Sequence, residues 1–243
     1  MNLNSAERRS TPSRDAELER IRRVYAQREC SRHSVRGPYS DISQSLRVAE
    51  IRRRVARVLA RASAPPISRL KFLDVGCGEG QWLRTLASMG ANEKNLTGVD
   101  LLPARLKTAK RLCSPRTALH CCDASKLPFS DADFDIALAF TLFSSILDDA
   151  FKKTVAAEML RVLRSGGLIL WHDLRVGNPL NPNVRAVPRR EIANLFASCK
   201  VTIEPVTLAP PLSRLLSRSA KLHDRFSRIP MLCSHYFGVI QKP

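Results

Sequence analysis

From about residue 70 onward, short apolar runs alternate with longer stretches of helical period, the pattern of βα units building a parallel sheet. The runs predict strands near 70–75, 95–100, 117–122, 134–140 and 167–172, with helices near 79–89, 103–113 and 147–164 between them. In the third helix Phe151, Val155, Met159, Val162 and Leu163 recur at helical spacing, and Ser165-Gly166-Gly167 is expected to close it. A helix near 189–198 and β-prone runs at 200–207 and 233–240 complete the alternation. No internal repeat interrupts it.

A helical prelude precedes this region. Leu18, Ile21, Val24 and Tyr25 share one spacing, and Val48, Ile51, Val55, Val58 and Leu59 share another. Between them SRHSVRGPYSD reads as a loop, and Ala64-Pro65-Pro66 ends the prelude. The expected organisation is a polar, disordered start over 1–14, a helical cap over 15–66 and one α/β domain over 67–243.

The formal charge of +18 is unevenly placed. Residues 71–173 carry only +1, whereas 1–70 carry +9, 174–190 carry +4 and 213–243 carry +5. The central region is therefore nearly neutral, and the flanks are expected to face an anionic group or surface. Seven cysteines without a CxxC pair fit neither a disulfide framework nor a zinc site, and read as small reduced core residues. The adjacent Cys121 and Cys122 point to opposite faces of a strand, which predicts independent packing. No run is long and apolar enough to span a bilayer, and the first residues lack a signal-peptide core. Glu7, Asp15, Glu17 and Glu19 argue against a transit peptide, so the expected location is cytoplasmic.

The chemistry-bearing stretch is KFLDVGCGEGQWLRTL. Gly76, Gly78 and Gly80 fall where strand must turn into helix and where a ligand must approach backbone. The spacing is G-x-G-x-G with Gln81 following, which departs from the G-x-G-x-x-G of dinucleotide sites. Asp74, two residues earlier, is a poor neighbour for a pyrophosphate and a good one for an ammonium or sulfonium. Asp100 ends the second strand twenty residues after Gly80, where a carboxylate can accept from both ribose hydroxyls. Asp123 follows the third strand, placed to accept from an adenine amine with Ala124 beside the ring. Carboxylates at three successive strand ends are far more specific than any one of them.

These residues resemble the class I methyltransferases, in particular the broad group with the type 11 methyltransferase domain. LDVGCGEG resembles their first motif and GVDLLP their ribose-binding turn. CDASKLPF is similar to their adenine-binding segment, and DADFDIALAF with LRVLRSGGLIL to their fourth and fifth strands. The resemblance covers about residues 70–174. It implies a Rossmann-like, doubly wound sheet of seven strands with the last antiparallel, and S-adenosyl-L-methionine as methyl donor. It also implies that the turn Gly76, Cys77, Gly78 to Gly80 faces the methionine moiety, Asp100 and Leu101 the ribose, and Asp123 and Ala124 the adenine. Phe140 is implied near the reactive methyl.

Transfer from an activated methyl needs alignment and a deprotonated acceptor. His172 and Asp173 follow the fifth strand at its carboxyl end, where either could serve as general base; His172 is the expected one, with pocket shaping its alternative role. The pair is too sparse for a metal site, and none is expected. Phe140-Thr141-Leu142-Phe143 lacks the Asn/Asp-Pro-Pro-aromatic tetrapeptide of nucleobase-amine methylases, which leans the acceptor toward oxygen.

In the flanks, 174–190 reads as a substrate-side loop and 208–230 as a lid helix. There Leu212, Leu215, Leu216, Leu222, Phe226 and Ile229 form one arc and Arg214, Arg218, Lys221, Arg225 and Arg228 an adjacent one. That helix either packs on the core or meets an anionic partner such as a phosphate-bearing substrate, a membrane surface or RNA. Tyr25-Ala26, the run from Asp173 to Arg185 and the closing SHYFGVIQK are similar to bacterial methyltransferases found among cell-surface glycan or secondary-metabolite genes, where tyrosine stands at the position of His172. That similarity implies a sugar, glycolipid or natural-product hydroxyl as acceptor; Tyr25 is expected toward the substrate, and Arg175, Arg185, Arg189 or Arg190 is expected to grip an anionic group on it. An RNA methyltransferase and a non-catalytic cofactor-binding protein are the competing readings. The flanks lack base-stacking aromatics, which disfavours the first.

Overall fold

A computed structural model describes residues 14–31, 41–61, 65–178 and 181–243. The expected disordered start, apart from Arg14, and most of the loop between the prelude helices lie outside the described residues. Two helices, α1 (Arg14–Ser31) and α2 (Asp41–Arg61), precede β1 (Phe72–Val75), α3 (Gln81–Ser88), β2 (Leu96–Asp100), α4 (Pro103–Leu112) and β3 (Ala118–Cys121). Then come β4 (Phe134–Phe140), α5 (Asp149–Val162), β5 (Leu163–Leu174), α6 (Arg189–Leu195) and β6 (Lys200–Leu208), and finally α7 (Pro210–Leu215), α8 (Ala220–Phe226) and β7 (Cys233–Gln241).

The strands form one sheet in the order β3-β2-β1-β4-β5-β7-β6. Neighbours from β3 through β5 pair in parallel, and β7 lies antiparallel between β5 and β6. The order reverses between β1 and β4, so a crevice opens beyond their carboxyl ends, where such sheets bind ligands. All four residues of β1 are buried, because helices cover both faces. One face carries Val75, Ala139 and Trp171 against α5 and α6, and the other carries Phe72, Leu138 and Phe237 against α2 and α3. The prelude helices help close both sides, with Leu18 of α1 in the first cluster and Ile51 and Val55 of α2 in the second. Pro205 sits inside β6, tolerated because β6 is an edge strand and a missing N–H there breaks no inner ladder.

Three expectations need correction. Ser165-Gly166-Gly167 does not close α5; it belongs to β5, which begins at Leu163. Gly166 donates to the Lys242 carbonyl and Lys242 donates back to that of Gly167, so the chain's last residues recruit the glycines into the sheet. The region 208–230 is not one helix either. It breaks after Leu215, and Ser219 caps α8 afresh by accepting from the Leu222 N–H. Leu215 and Leu222 of the expected core-facing arc are exposed as a result. Nor are all the cysteines core residues: Cys77, Cys113 and Cys233 are buried, but Cys121 is exposed. Among the described residues no helix is long and apolar enough to cross a membrane.

Candidate active site

The turn after β1 is held by backbone. Gly76 and Cys77 both donate to the Val99 carbonyl of β2, at 2.8 and 2.9 Å. Gly80 starts α3 in the left-handed region at φ +75°, and a Cβ there would lie 2.4 Å from Cys113 Sγ. Gly78, at φ +55°, comes so close to Arg105 that a Cβ would meet its guanidinium at 2.7 Å. Backbone conformation calls for glycine at both positions, and at Gly80 space does so as well, whereas the Arg105 end beside Gly78 is free to shift.

Asp100 uses this turn. Its carboxylate accepts from the Gly78 N–H at 2.8 Å and the Leu102 N–H at 2.9 Å, one to each oxygen. The group is thereby fixed in direction, and each oxygen keeps a lone pair, an arrangement suited to two neighbouring hydroxyls. Asp123 accepts from the Ser125 N–H and hydroxyl, and from Arg14 of α1 at 2.6 and 2.9 Å. Asp74 is buried, and one of its carboxylate oxygens finds no hydrogen-bond partner among the described residues. Burial first, and then the charge of Asp100, push its pKa up to about 7, with Arg105 opposing. A buried carboxyl with an unpartnered oxygen beside a second carboxylate is a place for a cation.

These groups surround a cavity of about 160 Å³. Its walls include Gly76, Asp100, Leu101, Asp123, Ala124 and Phe140, together with Tyr25. Asp74, Cys77, Gly78 and Gly80 are not among the residues that line the cavity. Sequence reasoning missed the closing side: Leu18 and Ile21 of α1, Arg105 of α4, and Thr141, Leu142, Ser145, Ile146 and Phe151 after β4. The Arg105 guanidinium sits 5.3 Å from the centre of the Tyr25 ring and 3.9 Å from Asp100, bracing α1 across the cavity. Thr141 holds φ +54°, rare for a β-branched residue, while donating its N–H to the His172 carbonyl. No local pattern announces the α1 contacts, since Arg14 and Asp123 are 109 residues apart.

The other expected site residues lie off the cavity wall. Strand alternation sends His172 and Asp173 to opposite faces of the sheet. His172 is buried, stacked on His235 at 4.9 Å and edge-on to Phe140 at 5.8 Å, with Nε2 3.4 Å from the Thr207 hydroxyl. Burial, then the neighbouring His235, Arg47 and Arg54, hold its pKa well below the usual value, so the ring is neutral. Asp173 accepts from the Ser144 and Leu174 N–H groups, which fixes the turn after β4, and burial raises its pKa. Arg175 donates to the Pro230 and Cys233 carbonyls. Arg185 pairs with Asp149 and, at 3.5 Å, with Glu191. Among the described residues no group of three or more His, Cys, Asp or Glu is arranged to hold a metal ion.

Known proteins are similar to this chain. A methyltransferase-domain family profile matches residues 72–167. The ubiquinone/menaquinone biosynthesis C-methyltransferase UbiE of Bordetella avium is 31% identical over 191 residues, covering 73% of this chain and 72% of that protein. The O-methyltransferase cnsE of Penicillium expansum is 32% identical over 113 residues, covering 44% of this chain and 39% of its own. Among solved structures, the PH0226 protein of Pyrococcus horikoshii superposes with a TM-score of 0.61 at 18% identity, covering 88% of this chain and 98% of that one, a likeness of fold.

Proposed function

We propose that this chain, which belongs to the class I S-adenosylmethionine-dependent methyltransferases, methylates a hydroxyl oxygen of a natural-product-like small molecule. The observation that carries the choice of acceptor is the chemistry of the free wall. Beyond the two aspartates and Arg105 it is mostly apolar, with Phe140, Leu142, Ile146, Phe151, Leu18 and Ile21, and its neutral polar groups include the hydroxyls of Tyr25, Thr141 and Ser145. Tyr25 and Ser145 are within hydrogen-bond distance of each other at 3.0 Å and can turn to an incoming hydroxyl. With no imidazole on this wall among the described residues, an acidic phenol or enol suits it better than a sugar alcohol, because a phenol of pKa about 10 needs far less help to ionise.

S-adenosylmethionine supplies the electrophilic methyl, and the chain binds and aligns. In this reading Asp100 accepts from the ribose hydroxyls, Asp123 and Ala124 hold the adenine, and Asp74 with the glycine turn meets the cationic methionine end. Phe140 and the α1 residues exclude water.

Two binding predictions arise here. A cationic ligand favours ionised Asp74, so S-adenosylmethionine affinity is expected to rise with pH through about 7 and level off above it. The same raised pKa means folding stability falls as pH climbs from the unfolded value toward 7, and bound cofactor offsets the loss. Calorimetric titration across that range checks this, and a flat affinity profile contradicts it. Second, Arg14 occupies the Asp123 carboxylate that the adenine amine needs. Arg14→Ala is expected to speed cofactor association about threefold, a small factor because the Arg14 side chain is half exposed. Stopped-flow binding reads this directly, and slower association in the variant would count against competition.

Acceptor chemistry is tested with a methyl-labelled donor and a panel of phenols, enols and sugars, locating the label by NMR. O-methylated phenols are expected, and transfer to sugars alone would overturn the preference. A second reading, C-methylation of the same acceptor, is favoured by the long match to UbiE, since a phenolate also carries charge on ring carbon. His172→Ala separates base from support. With His172 behind Phe140, turnover is expected to fall less than about tenfold with an unchanged pH profile, whereas loss of about a hundredfold or more would mark a general base.

A further inference from the structure

We propose that the segment from Pro210 to Leu232 is a docking surface for an anionic phospholipid membrane. Its inner side is tied down at several points. Ser213 Oγ is 3.0 Å from His223 Nε2, both buried, and Cys233 Sγ contacts the Ser227 and Ile229 carbonyls. Asp224 pairs with Arg53 of α2, and Arg175 holds the Pro230 carbonyl. The segment is therefore built to present its outer side in a fixed way.

That outer side combines two features that a merely solvated surface does not need together. Met231, Leu215, Leu222 and Ile229 are 88, 74, 47 and 42% exposed, four of the seven large apolar side chains left exposed among the described residues. Interleaved with them are the exposed Arg214, Arg218, Lys221, Arg225 and Arg228, against the single acid Asp224, itself paired with Arg53 and Arg228. Aliphatic tips standing out of a basic surface fit the boundary between lipid headgroups and acyl chains. A second copy of a chain carrying +18 would be repelled by that charge, and single-stranded RNA would call for aromatic platforms rather than leucine and methionine. The bases supply attraction of about fivefold in binding each near an anionic surface, and the apolar tips convert attraction into insertion.

Position adds a consequence. α7 follows the carboxyl end of β6, and β7 begins just after Leu232, so the surface lies at the same end of the sheet as the cavity. Docking would bring the cavity toward the lipid boundary, where apolar acceptors concentrate. The inference is independent of which acceptor atom receives the methyl group, because vesicle binding needs no turnover.

Cosedimentation of the full chain with vesicles tests it. Binding is expected to vesicles of mixed phosphatidylglycerol and phosphatidylcholine, and not to phosphatidylcholine alone. Leu215→Asp/Met231→Asp should weaken binding at least about tenfold, and Arg218→Glu/Lys221→Glu/Arg225→Glu by about a hundredfold or more. All five positions are exposed, so unchanged circular dichroism and thermal midpoint are expected to accompany the losses. No binding to anionic vesicles overturns the proposal. So does full binding by Leu215→Asp/Met231→Asp, or single-stranded RNA binding equally to that variant and the wild type while displacing vesicles, which would mark a general polyanion site.

Discussion

Asp100→Ala is expected to weaken S-adenosylmethionine binding by about a hundredfold or more. Two charge-assisted hydrogen bonds to ribose hydroxyls would be lost, each worth about 1.5–3 kcal/mol. The same change leaves the Gly78 and Leu102 N–H groups without their acceptor, so the turn that meets the rest of the cofactor loosens as well. It also removes the like charge that helps raise the Asp74 pKa, so any residual binding should show its pH midpoint moved downward. Asp100→Asn keeps the shape and one acceptor, and is expected to fall between the variant and the wild type. Calorimetry checks the series. A dissociation constant for Asp100→Ala within threefold of wild type would remove Asp100 from the site.

Gly80→Ala is expected to destabilise the fold by about 2–5 kcal/mol. The left-handed conformation costs an L-residue about 1–2 kcal/mol, and forcing a methyl against Cys113 Sγ adds an overpacking penalty of about 1–3 kcal/mol at a separation of 2.4 Å. Combining it with Cys113→Ala should relieve the second part and leave the first, giving a non-additive pair in denaturant unfolding. Gly78→Ala makes an informative contrast. There the added methyl meets the far end of a flexible arginine, which can swing aside, so the strain of φ +55° should be most of the loss. A Gly80→Ala variant within about 0.5 kcal/mol of wild type would mean that the turn can adopt another shape.

The sheet was legible because its order follows from βα alternation, and the three strand-end aspartates could be found because each belongs to a local strand-turn pattern. Asp100 and Asp123 do meet at one cavity, which Asp74 does not line. What stayed hidden depends on contacts between distant segments. Nothing in LERIRRVYAQ says that Leu18 and Ile21, beside Tyr25, close a cavity whose other walls begin at Gly76. The glycines after α5 look like a helix stop until the last residues of the chain pair with them. The basic helix over 208–230 had a consistent 4, 3, 4, 3 spacing, which cannot register that Ser219 starts a new helix. His172 is at the strand end as expected, but its place at the end of β5 does not tell which side of the sheet faces the cavity, and its ring stacks on His235 instead.

The most direct test is a crystal structure of the chain with S-adenosyl-L-homocysteine. The ribose hydroxyls are expected on the two Asp100 carboxylate oxygens, the adenine beside Ala124 with its amine on Asp123, and Arg14 displaced from that carboxylate. A cofactor bound with its ribose away from Asp100, or outside the cavity closed by α1, would contradict the assignment.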